Sequence, residues 1–139
     1  MQTSLAISYN DKAVLENYHL YKAFSILKKP DCDIFSSLNR QNYSRSRSMI
    51  INIVLSTDMA VHFNELGNLK NRIKAVDFDP KSIGDKDILL NQLIHACDIS
   101  NPTKPFEIYQ LWVDRVFEEF YNQVKQMFNY RETKKEKKD

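Results

Sequence analysis

The sequence predicts an all-α protein, and three observations predict it. Only two of the 139 residues, Gly67 and Gly84, are glycine, too few for the tight turns that a β-rich chain requires. Apolar residues recur at spacings of three and four over long stretches, and no pair of alternating segments reads as two strands. The composition, 42% apolar and 27% charged, is that of an ordinary globular protein. A chain of this length buries roughly 68% of its unfolded surface, which suits one domain.

Asn10 or Asp11 is expected to cap a first helix that runs to about Lys28, with Val14, Leu15, Tyr18, Tyr21 and Phe24 on its apolar face and Lys29-Pro30 as its stop. A short helical piece from Cys32 to Leu38 follows, then a polar, serine- and arginine-rich stretch from Asn39 to Ser48. The next helix covers about Arg47 to Lys74 and should bend at Gly67-Asn68, where a helix breaker interrupts the pattern. AVDFDPKSIG, residues 75–84, has the proline, glycine and aspartates of a surface loop. Asp85 or Asp87 then caps a helix that Asn101-Pro102 ends, because the residue before a proline is pushed out of the α conformation. Thr103 and Pro105 open the last helix, which keeps Phe106, Tyr109, Trp112, Val113, Val116, Phe117, Phe120 and Val124 on one face.

The helix Ile88 to Ser100 is apolar over most of its circumference, except where Asn91, His95 and Asp98 stand at i, i+4 and i+7. These three form one narrow polar stripe. If the helix is buried, Asp98 must be paired, hydrogen-bonded or metal-bound; if the stripe faces water, it needs no further explanation. Spacing alone allows both. Glu16 and Thr57-Asp58 also interrupt apolar runs, with local partners at hand: Glu16 and His19 at i, i+3, and Asp58 and His62 at i, i+4. The aromatic stripe of the last helix reads as core on the same grounds.

Charge and cysteine usage narrow the function classes. The segment Arg131 to Asp139 is densely charged, whereas the rest of the chain is balanced in acids and bases, so no electrostatic footprint for nucleic acid is present. Cys32 and Cys97 form neither a disulfide framework nor a metal-type spacing. The longest apolar segment, MIINIVL at 49–55, is far short of the ~20 residues that span a bilayer, and MQTSLAISYNDK is unlike a signal peptide. A cytoplasmic setting is expected.

Four segments taken together are more specific: YNDKAVLENYHL (9–20), IVLSTDMAVHF (53–63), LIHACDISNPTKP (93–105) and YQLWVDRVFEEFYNQ (109–123). In this order they resemble the class I cyclic nucleotide phosphodiesterase catalytic domain, over roughly residues 5–123. The resemblance implies that 1–123 is a central part of that larger all-helical bundle and that 124–139 is a divergent, mobile charged tail. It implies hydrolysis of 3',5'-cyclic nucleotides, cyclic AMP, cyclic GMP or both, to 5'-nucleoside monophosphates in signal transduction. The family does this at a two-metal centre of zinc and magnesium or manganese, which generates the nucleophile from water. By the match of His-Ala-Cys-Asp, Asp98 is implied as the carboxylate zinc ligand. Glu16 is implied as the acid that hydrogen-bonds the water around the second metal. Thr57 and Asp58 fall in that network or at its border, and Met59 beside the pocket mouth. Asn101, Tyr109, Trp112, Val113 and Val116 fall where the family builds the wall around the base, and His19 and His62 take structural or supporting roles.

The family's remaining metal ligands, histidines and an aspartate from an earlier His-x-x-x-His motif and a His-Asp pair followed by a further His, have no counterpart here. Nor do the histidine that protonates the leaving oxygen and the glutamine and aromatic that hold the purine. The expectation is a truncated domain that is inactive by itself, since one carboxylate cannot hold two metals. The alternative is a noncatalytic helical module of the same ancestry that binds a partner through an exposed apolar face.

Overall fold

Helices account for the secondary structure of residues 3–135, the residues that the computed structural model describes, and no strand occurs among them. They are α1 (Ser4–Ser8), α2 (Val14–Leu27), α3 (Arg40–Leu55), α4 (His62–Arg72), α5 (Ile83–Asp98) and α6 (Phe106–Lys135), with single 3-10 turns at Met59–Val61 and Asn101–Thr103. The all-α expectation holds. The chain divides into two compact units, Met1–Asp98 and Ile99–Asp139. No helix among the described residues is long and apolar enough to cross a membrane.

In the first unit α1 packs on α2, α2 on α3, and α5 on both α3 and α4. Several boundaries depart from the sequence reading, each for a local reason. Asn10 and Asp11 do not cap α2. They adopt left-handed backbone at φ 54° and 58°, as does Ala13 at 41°, and α2 opens at Val14 with no side-chain cap. Asparagine and aspartate tolerate that region, so the pair makes the turn out of α1 instead. Residues 32–38 form turns rather than helix. The serine- and arginine-rich stretch, in contrast, is helical: the Asn39 side chain accepts the Asn42 N–H at 2.8 Å and starts α3 there.

The break expected at Gly67 falls instead at Ser56-Thr57-Asp58. The Ser56 and Thr57 hydroxyls donate back to the carbonyls of Ile53 and Val54, each at 2.7 Å. Asp58 turns to extended backbone and its carboxylate accepts the Ala60 N–H at 2.8 Å. Such side-chain bonds compete with the helical ladder and end it. They also remove the i, i+4 geometry that would pair Asp58 with His62. α4 continues through Gly67, where an added Cβ would meet nothing within 4 Å.

The loop between α4 and α5 is tied down by one guanidinium. Arg72 donates from Nε and Nη2 to the two carboxylate oxygens of Asp85, at 2.5 and 2.9 Å, and from Nη1 to Asp77 at 2.7 Å. Asp85 also accepts the Asp79 N–H at 2.9 Å and is itself buried, at 4% exposure. Its hydrogen bonds from Arg72, and then that from Asp79, hold its carboxyl down at about 2.

In the second unit Pro105 opens α6, its carbonyl accepting the Ile108 and Tyr109 N–H groups. The residues from 124 onward, expected as a mobile tail, continue α6 in helical form to Lys135, and 136–139 lie outside the described residues. Glutamine, lysine, methionine and glutamate are good helix formers, and no glycine or proline intervenes.

Two outcomes follow. Gly67→Ala should raise stability by about 0.5 to 1 kcal/mol, since alanine costs less backbone entropy in a helix and the added methyl meets no atom; urea unfolding at pH 7 measures it. The ordinary aspartate value is 3.8 and the folded value is about 2. The stability that Asp85 contributes is thus complete above about pH 4 and is lost as pH falls through about 2. Urea midpoints over that range should fall more steeply for the native chain than for Asp85→Asn, which starts lower at pH 7.

Candidate functional site

Two helices of the first unit, α2 and α5, and the turn after α3 border a cavity of about 480 Å³ lined by Glu16, His19, Thr57, Ile94, Cys97 and Asp98. Glu16 and His19 lie three apart on α2, so one face of that helix presents both. Thr57 stands just past the end of α3, held there by its bond to the Val54 carbonyl. Asp98 is the last residue of α5, and Ile94 sits one turn before it on the same face. The cavity therefore gathers Glu16, Thr57 and Asp98, three residues that the sequence singled out from segments far apart. His19, expected only in a structural or supporting role, and Cys97, noted only for lacking a metal-type spacing, join them.

Asp58 and Met59 do not line this cavity. Asp58 serves as the cap of the 3-10 turn, and Met59 is 59% exposed. The stripe Asn91, His95 and Asp98 is neither wholly buried nor wholly in water. His95 is 2% exposed, whereas Asp98 is exposed at the cavity. α5 is not buried all round, one of the two alternatives its spacing allowed: Leu93, Ile94 and Ile99 beside it are 57%, 41% and 43% exposed, and its main packing is on α3 and α4.

His95 is placed by His62. Its Nε2 lies 2.7 Å from His62 Nδ1, so one nitrogen carries the hydrogen and the other accepts it. His95 Nδ1 is buried without a partner in either tautomer. One turn earlier on α5, the Asn91 carbonyl accepts the Ser56 hydroxyl at 3.4 Å. Together these contacts fix the last two turns of α5, and so the direction in which Asp98 leaves it.

The second unit carries the other predicted set. Asn101 Nδ2 donates to the Tyr109 carbonyl at 3.4 Å, while its Oδ1 is buried with no partner. Tyr109 and Val113 are half-buried; Trp112 and Val116 are 47% and 44% exposed. Lys104 and Arg115 each place a cation 5.4 Å from the Trp112 ring. Tyr109 lies 6.2 Å, centroid to centroid, from Phe106. α6 thus offers an aromatic surface flanked by cations.

Among the described residues, no three histidine, cysteine, aspartate or glutamate side chains stand close enough to hold a metal ion. A catalytic zinc takes three protein ligands and an open position, so the expected zinc and magnesium or manganese pair does not fit on these residues alone. Asp98 supplies one carboxylate and no more.

A family model described as 3'5'-cyclic nucleotide phosphodiesterase matches residues 1–134. The chain is 40% identical over 122 residues to the probable 3',5'-cyclic phosphodiesterase pde-1 of Caenorhabditis elegans, an alignment that covers 88% of this chain and 18% of that protein. It is 40% identical over 125 residues to the probable 3',5'-cyclic-AMP phosphodiesterase pde-4 of the same animal, covering 86% and 18%. Among solved structures it matches the phosphodiesterase domain of the RhoPDE fusion protein of the choanoflagellate Salpingoeca rosetta with a TM-score of 0.82 at 37% identity, over 89% of this chain and 40% of that one. The chain belongs to the 3',5'-cyclic nucleotide phosphodiesterase family. It spans about a fifth of the length of the curated relatives it matches.

The histidine pair gives a prediction. His95→Ala removes the bond to His62 and leaves a cavity at a buried position, and should lower stability by about 1 to 3 kcal/mol in urea unfolding. Solvent-facing Asp98→Ala should change it by less than about 0.5 kcal/mol.

Proposed function

We propose that this chain serves the hydrolysis of the cyclic phosphodiester of 3',5'-cyclic nucleotides, as the central part of a phosphodiesterase catalytic domain acting in the cytoplasm. The observation that carries the reading is the convergence of Glu16 on α2, Thr57 just past α3 and Asp98 at the end of α5 on one cavity, in a chain whose family match covers residues 1–134. A two-metal centre belongs to the same proposal. Asp98 would give it one carboxylate, Glu16 and Thr57 would order water beside it, and its remaining ligands are not among the described residues. Metals in such a centre generate a nucleophile from water and balance charge on the phosphoryl oxygens. Asn101, Tyr109, Trp112, Val113 and Val116 would form an aromatic and apolar surface for the purine of cyclic AMP or cyclic GMP.

On this reading the 139-residue chain alone, supplied with zinc and magnesium, hydrolyses neither cyclic AMP nor cyclic GMP, because its donor set is incomplete. Residues 5–123 exchanged into the matching segment of pde-4 should retain cyclic AMP hydrolysis. Asp98→Asn in that chimera should reduce kcat by about a thousandfold or more, the scale on which transition-state charge stabilisation acts. Turnover undiminished by Asp98→Asn would sink the assignment of Asp98. A second reading, a noncatalytic helical module, is favoured by the exposed apolar side chains along α6, among them Leu111, Trp112, Phe117 and Phe120. A chimera that folds and loads metal yet shows no hydrolysis would support it.

A further inference from the structure

The arginine- and serine-rich stretch of α3 has no part in the cavity described above, and its geometry is specific. α3, RQNYSRSRSMIINIVL, holds three arginines and no acid. Arg47 lies over the Phe24 ring at 3.9 Å. Arg45 reaches across to α5 and donates from Nη2 to the Asp87 carboxylate at 2.5 Å, which fastens α3 to the first turns of α5. Ser44 and Ser48 share one shallow groove with Arg40 and Arg45, and both are exposed. Ser8, Ser25 and Ser56 donate their hydroxyls to backbone carbonyls. Among the described residues, Ser44, Ser46 and Ser48 have no such bond, and the hydroxyls of the exposed Ser44 and Ser48 are left to solvent.

We propose that Ser48 is a phosphorylation site for an arginine-directed protein kinase, and that the phosphate takes Arg45 away from Asp87. Ser48 has Arg45 three residues before it and Arg47 one before. A guanidinium three residues upstream is what an acidic pocket on such a kinase grips, by bidentate carboxylate pairing. Ser44 has its nearest upstream arginine at four residues, and Ser46 is half-buried. A kinase needs the segment extended. Residues 40–48 are exposed apart from Ser46, so unwinding them gives up the Arg47 contact with Phe24 and the Arg45 bond to Asp87 but little other burial.

In the transfer, Ser48 Oγ bonds to the γ-phosphorus of a nucleoside triphosphate and the bond from that phosphorus to the bridging oxygen breaks. The hydroxyl proton passes to the kinase's base, and nucleoside diphosphate leaves. On the rewound helix the phosphate stands at i+3 from Arg45, with about two negative charges and three acceptor oxygens against the single charge of Asp87. Arg45 turns to it, and the link to α5 is released.

The test is incubation of the intact 139-residue chain with ATP and the catalytic subunit of the cyclic AMP-dependent kinase, read by intact mass and fragmentation. One phosphate, mapped to Ser48 and absent in Ser48→Ala, is expected; no incorporation, or incorporation that survives Ser48→Ala, overturns the site. Amide hydrogen exchange over residues 83–90 reads the consequence. It should speed up about fivefold on phosphorylation, the scale of one exposed ion pair. Asp87→Asn should show the same increase unphosphorylated and no further increase when phosphorylated. Exchange unchanged by phosphate in the native chain, or equally accelerated by it in Asp87→Asn, overturns the switch.

Discussion

The grip of Arg72 on Asp85 is the constraint on which the geometry of the first unit depends. A buried carboxylate must be satisfied on every side, and this one takes two guanidinium N–H groups and the Asp79 N–H. The same guanidinium holds Asp77, so the connection from α4 to α5 is pinned at several points rather than left as a loop. α5 is a rigid rod. Fixing it at Asp85 sets the position of Asp98, about 20 Å along its axis at 1.5 Å per residue.

Further polar contacts then align the rod. Arg45 meets Asp87, the Ser56 hydroxyl meets the Asn91 carbonyl, and His62 meets His95. In order along α5 these join it to α3, to the end of α3 and to the start of α4. Apolar burial contributes less to this alignment. Among the described residues the buried apolar side chains are Ala6, Leu20 and Phe24, on α1 and α2, while the buried residues of α5 are Asp85 and His95. Apolar contact is non-directional, whereas a hydrogen bond fixes both distance and angle. The register of α5 is thus a polar matter, which is why a helix with so many exposed leucines and isoleucines still presents Asp98 at a defined place.

Much of this was legible in the sequence, and what was not has a common cause. The helical class followed from glycine scarcity and periodicity, and the last helix from the Pro105 start and its run of aromatics. The cavity residues Glu16, Thr57 and Asp98 were legible as polar interruptions of apolar runs, although only resemblance to a family tied them together. The break at Ser56-Thr57-Asp58 was missed because hydroxyls that bond back to their own helix look, in sequence, like ordinary helical residues, while Gly67 looks like a breaker and is not one. Arg72 gave no signal, since its two acidic partners, Asp77 on the loop and Asp85 at the start of α5, are brought to it by a chain path that spacing does not fix. His95 seemed a stripe member until His62, thirty-three residues away, accounted for it.

The division of the stripe on α5 carries the functional argument further. His95 faces inward and is consumed in packing, whereas Asp98, less than a turn on, faces the cavity. It stands at the helix C-terminus, where unpaired carbonyls already carry partial negative charge. Glu16 brings a second carboxylate to the same cavity from α2. The placement of Asp98 does not help α5, since negative charge at a helix C-terminus is unfavourable, whereas Glu16 stands in the first turn of α2, where negative charge is favourable. What the arrangement does produce is a cavity whose lining carries two carboxylates from separate helices, with Thr57 and His19 beside them.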